Sequence, residues 1–231
     1  MSVSRFFPAV LASLLATVAF AQSPAPAPVP AAPAAPAAAP MPAAPVPQGK
    51  AWILMDHTSG QVLAGENIDT PLDPASITKV MTSYVVAAEM AQGKVSKDDM
   101  VRISENAWRS GGAGTDGSYS ALAVNSEVKL DDILHGLVIQ SGNDAAIALA
   151  EHVGGSEAAF VDLMNRYAQQ LGMTRTNFVN AHGLTAEGHR MSARDIAILS
   201  RAMIRDFPEH YALYSTKEYT YNGIRQYNRT G

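Results

Sequence analysis

Leu72-Asp73-Pro74-Ala75-Ser76-Ile77-Thr78-Lys79-Val80-Met81-Thr82 joins a proline-punctuated approach to the start of a strongly apolar helix. Pro71 and Pro74 disfavour helix ahead of the motif. Ile77, Val80, Met81, Tyr84, Val85 and Ala88 then keep the i, i+3, i+4, i+7 rhythm of a helix with a buried face, which Gly93 ends. Ser76 falls in the first turn and Lys79 three residues later, so both side chains project from one face at neighbouring turns. A serine hydroxyl is a weak nucleophile until a base takes its proton, and lysine can be that base only where burial or nearby positive charge lowers its pKa. The helix start adds free backbone N–H groups where an oxyanion would form. Alone, Ser-x-x-Lys is common by chance, and a helix-capping serine followed by a surface lysine has the same spacing.

Upstream, Ala51–Asp56 and Gln61–Glu66 are strand-like and flank His57-Thr58-Ser59-Gly60, which predicts a hairpin. Downstream, Gly111–Gly117 is too glycine-rich for a regular element and predicts a loop beside a cleft. Helical patterns follow at Asp131–Gln140, Asp144–Val153 and Ser156–Leu171, and Ser192-x-x-Asp195 opens another that runs to Arg205. Glu218–Tyr221 alternates like a strand. A hairpin, a helical block and then strands again is the order of an α+β fold with helices packed on an antiparallel sheet.

A second polar triplet, Ser141-Gly142-Asn143, lies 65 positions after Ser76 between two helical segments. Such a triplet is as readily a connector that caps the next helix. Its chemistry would also serve the first motif: the Ser141 hydroxyl can relay a proton between lysine and leaving group, and the Asn143 amide can bind Lys79 and a substrate carbonyl.

Ser-x-x-Lys followed at this distance by Ser-x-Asn is similar to the paired signature of the serine penicillin-recognising enzymes. Leu72–Thr82 and Ser141-Gly142-Asn143-Asp144-Ala145 resemble the serine-type D-alanyl-D-alanine carboxypeptidases of peptidase family S11, the low-molecular-mass penicillin-binding proteins. Their triplet has glycine where class A β-lactamases commonly have aspartate. Asn180–Leu184, Ser192–Asp195 and Tyr221–Gln226 extend the resemblance from about Lys50 to the last residue. It implies a β-lactamase/D,D-peptidase-like fold, an antiparallel sheet flanked by helices plus a helical subdomain. It also implies acylation of Ser76 by the penultimate D-alanine of a peptidoglycan pentapeptide stem, release of the terminal D-alanine, and slow-turnover acylation by β-lactams. Lys79 and Ser141 are the implied catalytic partners and Asn143 the implied substrate-binding residue. No cofactor or metal is implied.

The family's third motif, Lys-Thr-Gly on a substrate-pairing strand, has no match. Arg229-Thr230-Gly231 follows directly on Tyr221–Asn228, which resembles the segment that precedes that strand in relatives, so the order of segments argues against it. The expectation is a catalytic domain incomplete at its C-terminus and lacking one oxyanion donor, a loss that typically costs ~10²–10³ in rate. The purified 231-residue chain is therefore expected to turn over D-alanyl-D-alanine peptides poorly or not at all, and robust release of D-alanine would refute this.

Other chemistries find less support. A serine β-lactamase would want a Glu-x-x-x-Asn loop, which is absent between Gly172 and Met191. His182 and His189 suggest zinc, yet no His-Glu-x-x-His accompanies them. A Ser-His-Asp triad would want a Gly-x-Ser-x-Gly elbow, which is missing. A secreted wall-binding module that keeps the fold without turnover is the alternative outside enzymology.

The beginning of the chain sets its destination. Arg5 precedes an apolar run from Phe6 to Phe20, and Ala19-Phe20-Ala21 has the small-x-small pattern of a signal-peptidase site, so residues 1–21 read as a signal peptide, with an uncleaved N-terminal anchor as the alternative. Residues 22–48 are almost all Ala and Pro, a polyproline II tether or simply disorder, and residues 49–231 form the catalytic domain. A periplasmic protein, at most peripheral to the membrane through a C-terminal anchor outside this chain, is expected. Zero cysteines exclude disulfides and thiolate chemistry, and a net charge of −4 with no basic run argues against nucleic acid.

Overall fold

The computed structural model describes Ala44, residues 46–112 and residues 115–229. Residues 1–21, read above as a signal peptide, nearly all of residues 22–48, and Thr230 and Gly231 lie outside the described residues. Among the described residues, the secondary-structure elements belong to one unit that begins at Ala44.

Strands β1 (Trp52–Met55) and β2 (Val62–Glu66) pair antiparallel, as the hairpin pattern predicts. Asp56 builds the turn by accepting from the Ser59 N–H at 2.7 Å and the Ser59 hydroxyl at 2.6 Å. A 3₁₀ turn over Ala75–Ile77 then leads into α1 (Thr78–Ala91). Ser76 is thus carried on the 3₁₀ turn, one step before the α-helix, and makes no capping bond to it. That disposes of the reading of Ser76 as an ordinary helix cap. Gly93 follows the helix end with a φ of +72°, a conformation that costs glycine little.

Helix α1 is buried on nearly all sides, polar Thr78, Thr82 and Ser83 included, because it runs through the centre of the molecule against later helices. Beyond it, β3 (Met100–Arg102) pairs with β4 (Glu127–Lys129), and between them lies α2 (Glu105–Gly111), capped by Ser104. Sequence patterning does not assign α2. Its seven residues are too few to show a period, and its existence rests on the Ser104 cap and on packing against the later helix over Asn143–Gly154. Helices α3 (Leu130–Ile139), α4 (Asn143–Gly154) and α5 (Glu157–Leu171) match the predicted segments to within a residue or two, and α6 (Ala193–Asp206) starts at its Ser192 cap. Then come a short α7 (Pro208–Tyr211), a second 3₁₀ turn (Ala212–Ser215), and the pair β5 (Glu218–Tyr221) and β6 (Ile224–Tyr227).

The α+β class holds, with one difference from expectation. Among the described residues the strands form three separate two-stranded antiparallel ladders rather than one continuous sheet. Helix α6 lies against β1, and α3 against β5. The core joins α1 to α3, α4 and α5 through Met81, Val85, Ile133, Leu137, Leu149, Phe160 and Met164, all buried. Gly111 at the end of α2 lets two backbones touch, since a Cβ there would lie 2.4 Å from the Asp144 amide nitrogen. That contact fixes the start of α4, where the second polar triplet sits.

Candidate active site

The first motif is held in a strained turn. Ala75, immediately before Ser76, has a φ of +47°, sparsely populated for a residue with a Cβ. Gly183 lies against it with a φ of +92°, and a Cβ on Gly183 would come 1.9 Å from the Ala75 carbonyl oxygen. Ser76 is exposed, whereas Lys79 is only 5% exposed. The Lys79 amine lies 3.2 Å from Ser76 Oγ and donates to the His182 carbonyl at 2.6 Å.

Burial lowers the Lys79 pKa to about 8, against the opposing pull of the Asp144 carboxylate. Against an ordinary value of ~10.4, this raises the neutral fraction at pH 7 from roughly one in 2,500 to about one in ten. An amine in that state can accept the Ser76 proton while it donates to the His182 carbonyl.

Residues 178–189 form the wall that holds α1 in place. The Ala181 carbonyl accepts from Thr82 Oγ1 at 2.6 Å. His189 accepts the Val179 N–H at Nδ1, 3.0 Å away, so its proton sits on Nε2 and is donated to Thr78 Oγ1 at 2.8 Å. His182 accepts the Leu184 N–H at Nδ1, 3.1 Å away. Burial, with Lys79 as the next cause, pushes His182 down to about 4, so its ring is neutral beside the amine. Both histidines thus use one ring nitrogen on backbone, and among the described residues no group of three or more His, Asp or Glu is placed to hold a metal ion.

Ser141 lies between α3 and α4 with a φ of +56°, a second outlier in the left-handed region at the same site. Ser76, Lys79 and Ser141 share the lining of one cavity of about 290 Å³, walled by Ile77, Val80, Leu137, Val138 and Tyr214. A larger cavity of about 760 Å³, lined by Lys50, Asp73, Glu187 and Arg190 among others, includes none of the three.

Asn143, the fourth predicted residue, stands one step off this cavity. It opens α4, is 3% exposed, and its amide Nδ2 would lie 2.3 Å from a Cβ on Gly117. Its side chain therefore packs against the glycine-rich loop, and its backbone N–H donates to the Ser118 carbonyl at 2.8 Å. Gly142 is required sterically: a Cβ there would meet Ser120 Oγ at 1.9 Å and Asp144 Oδ1 at 2.7 Å. Arg229, in the stretch that the order of segments argues is not the third motif, donates from its guanidinium to Ser118 Oγ.

Sequence reasoning assigned no role to Asp144, Gly183, Tyr214 or the His182 carbonyl. Asp144 is fully buried and accepts from the Ser120, Leu122 and Ala145 N–H groups, so it pins residues 120–122 to the start of α4. Asp144 and Gly183 lie inside stretches that carry the resemblance, but their roles depend on burial and on contacts over long sequence separations. Tyr214 lies outside any motif.

A family model described as D-alanyl-D-alanine carboxypeptidase matches residues 38–231. The chain belongs to that family. Among its carboxypeptidase relatives, DacC of Escherichia coli strain K12 is 49% identical over 199 residues, covering 86% of this chain and 50% of the relative. DacA of the same strain is 46% identical over 189 residues, covering 80% of this chain and 47% of the relative. The chain thus spans about half the length of the curated carboxypeptidases it matches. Among solved structures, penicillin binding protein 5 from Haemophilus influenzae superposes with a TM-score of 0.76 at 45% identity, covering 81% of this chain and 54% of that one. A Streptomyces K15 DD-transpeptidase mutant reaches 0.69 at 26% identity, covering 78% of this chain and 74% of that one. The expected fold of the penicillin-binding D,D-peptidases is therefore the fold of this carboxypeptidase-family chain.

Proposed function

We propose that the chain acts as a serine-type D-alanyl-D-alanine carboxypeptidase on peptidoglycan stem peptides, with Ser76 as nucleophile and Lys79 as its general base. The observation that carries this is the buried Lys79 amine, 3.2 Å from Ser76 Oγ and with its pKa lowered to about 8, in one cavity with Ser141. Neutral Lys79 takes the Ser76 proton as Oγ attacks the carbonyl carbon of the penultimate D-alanine. The tetrahedral intermediate collapses to an ester on Ser76, and the departing amine of the terminal D-alanine receives a proton from Lys79 through the Ser141 hydroxyl. Water then attacks the ester and Ser76 recovers its proton. Asn143 is assigned to the substrate carbonyl from its place at the start of α4, two residues beyond Ser141. β-Lactams, as mimics of the terminal dipeptide, acylate the same serine.

We place the protein in the periplasm, with residues 1–21 as secretory leader, 22–48 as tether and 49–231 as the catalytic domain. Among the described residues no helix is long and apolar enough to cross a membrane.

The test is covalent labelling by a fluorescent penicillin, followed as a function of pH. Labelling is expected on Ser76 and is expected to vanish in Ser76→Ala. Lys79 works only when neutral, so below its midpoint near 8 the acylation rate rises about tenfold per pH unit, and above the midpoint it levels off. Labelling that survives Ser76→Ala, or a rate independent of pH between about 6 and 9, would overturn the assignment.

A further inference from the structure

Tyr214 is the one residue of α7 and its following 3₁₀ turn that lines the cavity of Ser76, Lys79 and Ser141. Nothing in the proposed chemistry uses it. Its surroundings nevertheless hold it in one place. Its hydroxyl faces Ser83, which lies on α1 one turn beyond Lys79 and is fully buried. Ser83 Oγ is in turn bonded to His210 Nε2 at 2.7 Å, and His210, in α7, is 7% exposed. The Tyr214 carbonyl accepts from Asn228 Nδ2 at 3.3 Å, and the ring stacks on Tyr211 with centroids 5.8 Å apart. A buried serine–histidine hydrogen bond adds only modest net stability but has a defined geometry, so its benefit here is positional. It anchors the α7 segment onto the face of α1 that carries Lys79.

We propose that Tyr214 is a positioning residue whose ring closes the apolar wall around the Lys79 amine, keeping water away and holding that lysine in its neutral, basic form. Ile77, Val80, Leu137 and Val138 complete the wall, and none of them brings a charge or a hydrogen bond to the amine. Neither of the groups that do face Lys79 lowers its pKa. Asp144 at the start of α4 favours the charged form, and His182, held neutral with Glu157 3.6 Å behind it, supplies only its carbonyl. Exclusion of water is therefore what sets the base, and Tyr214 is the largest side chain in the wall. The phenol itself is pushed up to about 12 by burial, so it stays neutral while Lys79 titrates.

The inference rests on Lys79 as base, and the experiment keeps the two claims apart by reading Lys79 directly. The full 231-residue chain is trace-labelled with acetic anhydride between about pH 6 and pH 11, and the extent of Lys79 acetylation is followed by peptide mass spectrometry. Wild type is expected to show a midpoint near 8, Tyr214→Phe the same midpoint, and Tyr214→Ala a midpoint raised by about one unit as water reaches the amine. The pH profile of penicillin acylation moves by the same amount. An unshifted midpoint in Tyr214→Ala overturns the proposal, as does an equal shift in Tyr214→Phe, which would assign the effect to the hydroxyl. If Tyr214→Ala does not fold, Tyr214→Val opens the same wall and is judged by the same criterion. Absence of penicillin labelling in a wild type whose Lys79 midpoint lies near 8 counts against the proposed function alone.

Discussion

Lys79→Arg is expected to lower the rate of Ser76 acylation by a penicillin by about 10²–10⁴-fold, the usual contribution of a general base. Size and charge are nearly kept, which makes the comparison informative. A guanidinium has a pKa above ~12 and presents only donors, so it cannot accept the Ser76 proton at any working pH. If the 3.2 Å contact between Lys79 and Ser76 merely positioned the serine, arginine could supply it and acylation would survive. Stability responds in addition. Lys79 is 5% exposed and bonds the His182 carbonyl at 2.6 Å, so a larger ion that cannot lose its charge is forced into a space that lowers the pKa of an amine. Activity must therefore be compared at a temperature where circular dichroism shows both proteins folded. Acylation of the arginine variant within tenfold of wild type would remove Lys79 as the base.

Gly183→Ala is the substitution expected to damage both the fold and the site. The added Cβ would lie 1.9 Å from the Ala75 carbonyl oxygen, 2.6 Å from its carbon and 2.9 Å from Thr78 Oγ1. Two of these atoms are backbone, so no side-chain rotation relieves the overlap. Gly183 also has a φ of +92°, which alanine adopts only at a cost. Overpacking and backbone strain together come to about 2–4 kcal/mol. What must move is the Ala75–Ile77 turn carrying Ser76, or the 182–183 backbone holding Lys79, so acylation falls along with thermal stability. Gly155→Ala is the control: its φ is +76°, but nothing lies within 4 Å of the added Cβ, so only the backbone cost of ~1 kcal/mol applies and acylation is unaffected. Thermal midpoints and penicillin-labelling rates of the two variants check the contrast. Equal destabilisation, with labelling intact in Gly183→Ala, would show that the Ala75 contact does not hold the nucleophile.

Local patterns carried a large share of this. The 3.6-residue rhythm after Pro74 foretold α1, the apolar pattern of Ser156–Leu171 foretold α5, Ser192 marked the start of α6, and the hairpin around Ser59 follows from its turn residues. These features depend on neighbours within a turn or two, and a chain displays them as composition and spacing. The two motifs likewise put the proposed nucleophile, base and relay into sequence, and their resemblance to a family supplied those roles. Where Ser76 sits was legible only to within a residue, because the turn that carries it packs at Ala75 against Gly183, more than a hundred positions away.

What the sequence by itself determined is therefore the identity of the residues proposed to react and the helices beside which they lie. Tertiary structure alone decided their state. Lys79 is suited to the proposed base role because apolar residues from α1, α3 and the turn after α7 exclude water from it, which outweighs the opposing pull of the buried Asp144 carboxylate, while the His182 carbonyl fixes where the amine points. Desolvation and long-range contact depend on which surfaces meet, and only packing of the whole chain sets that.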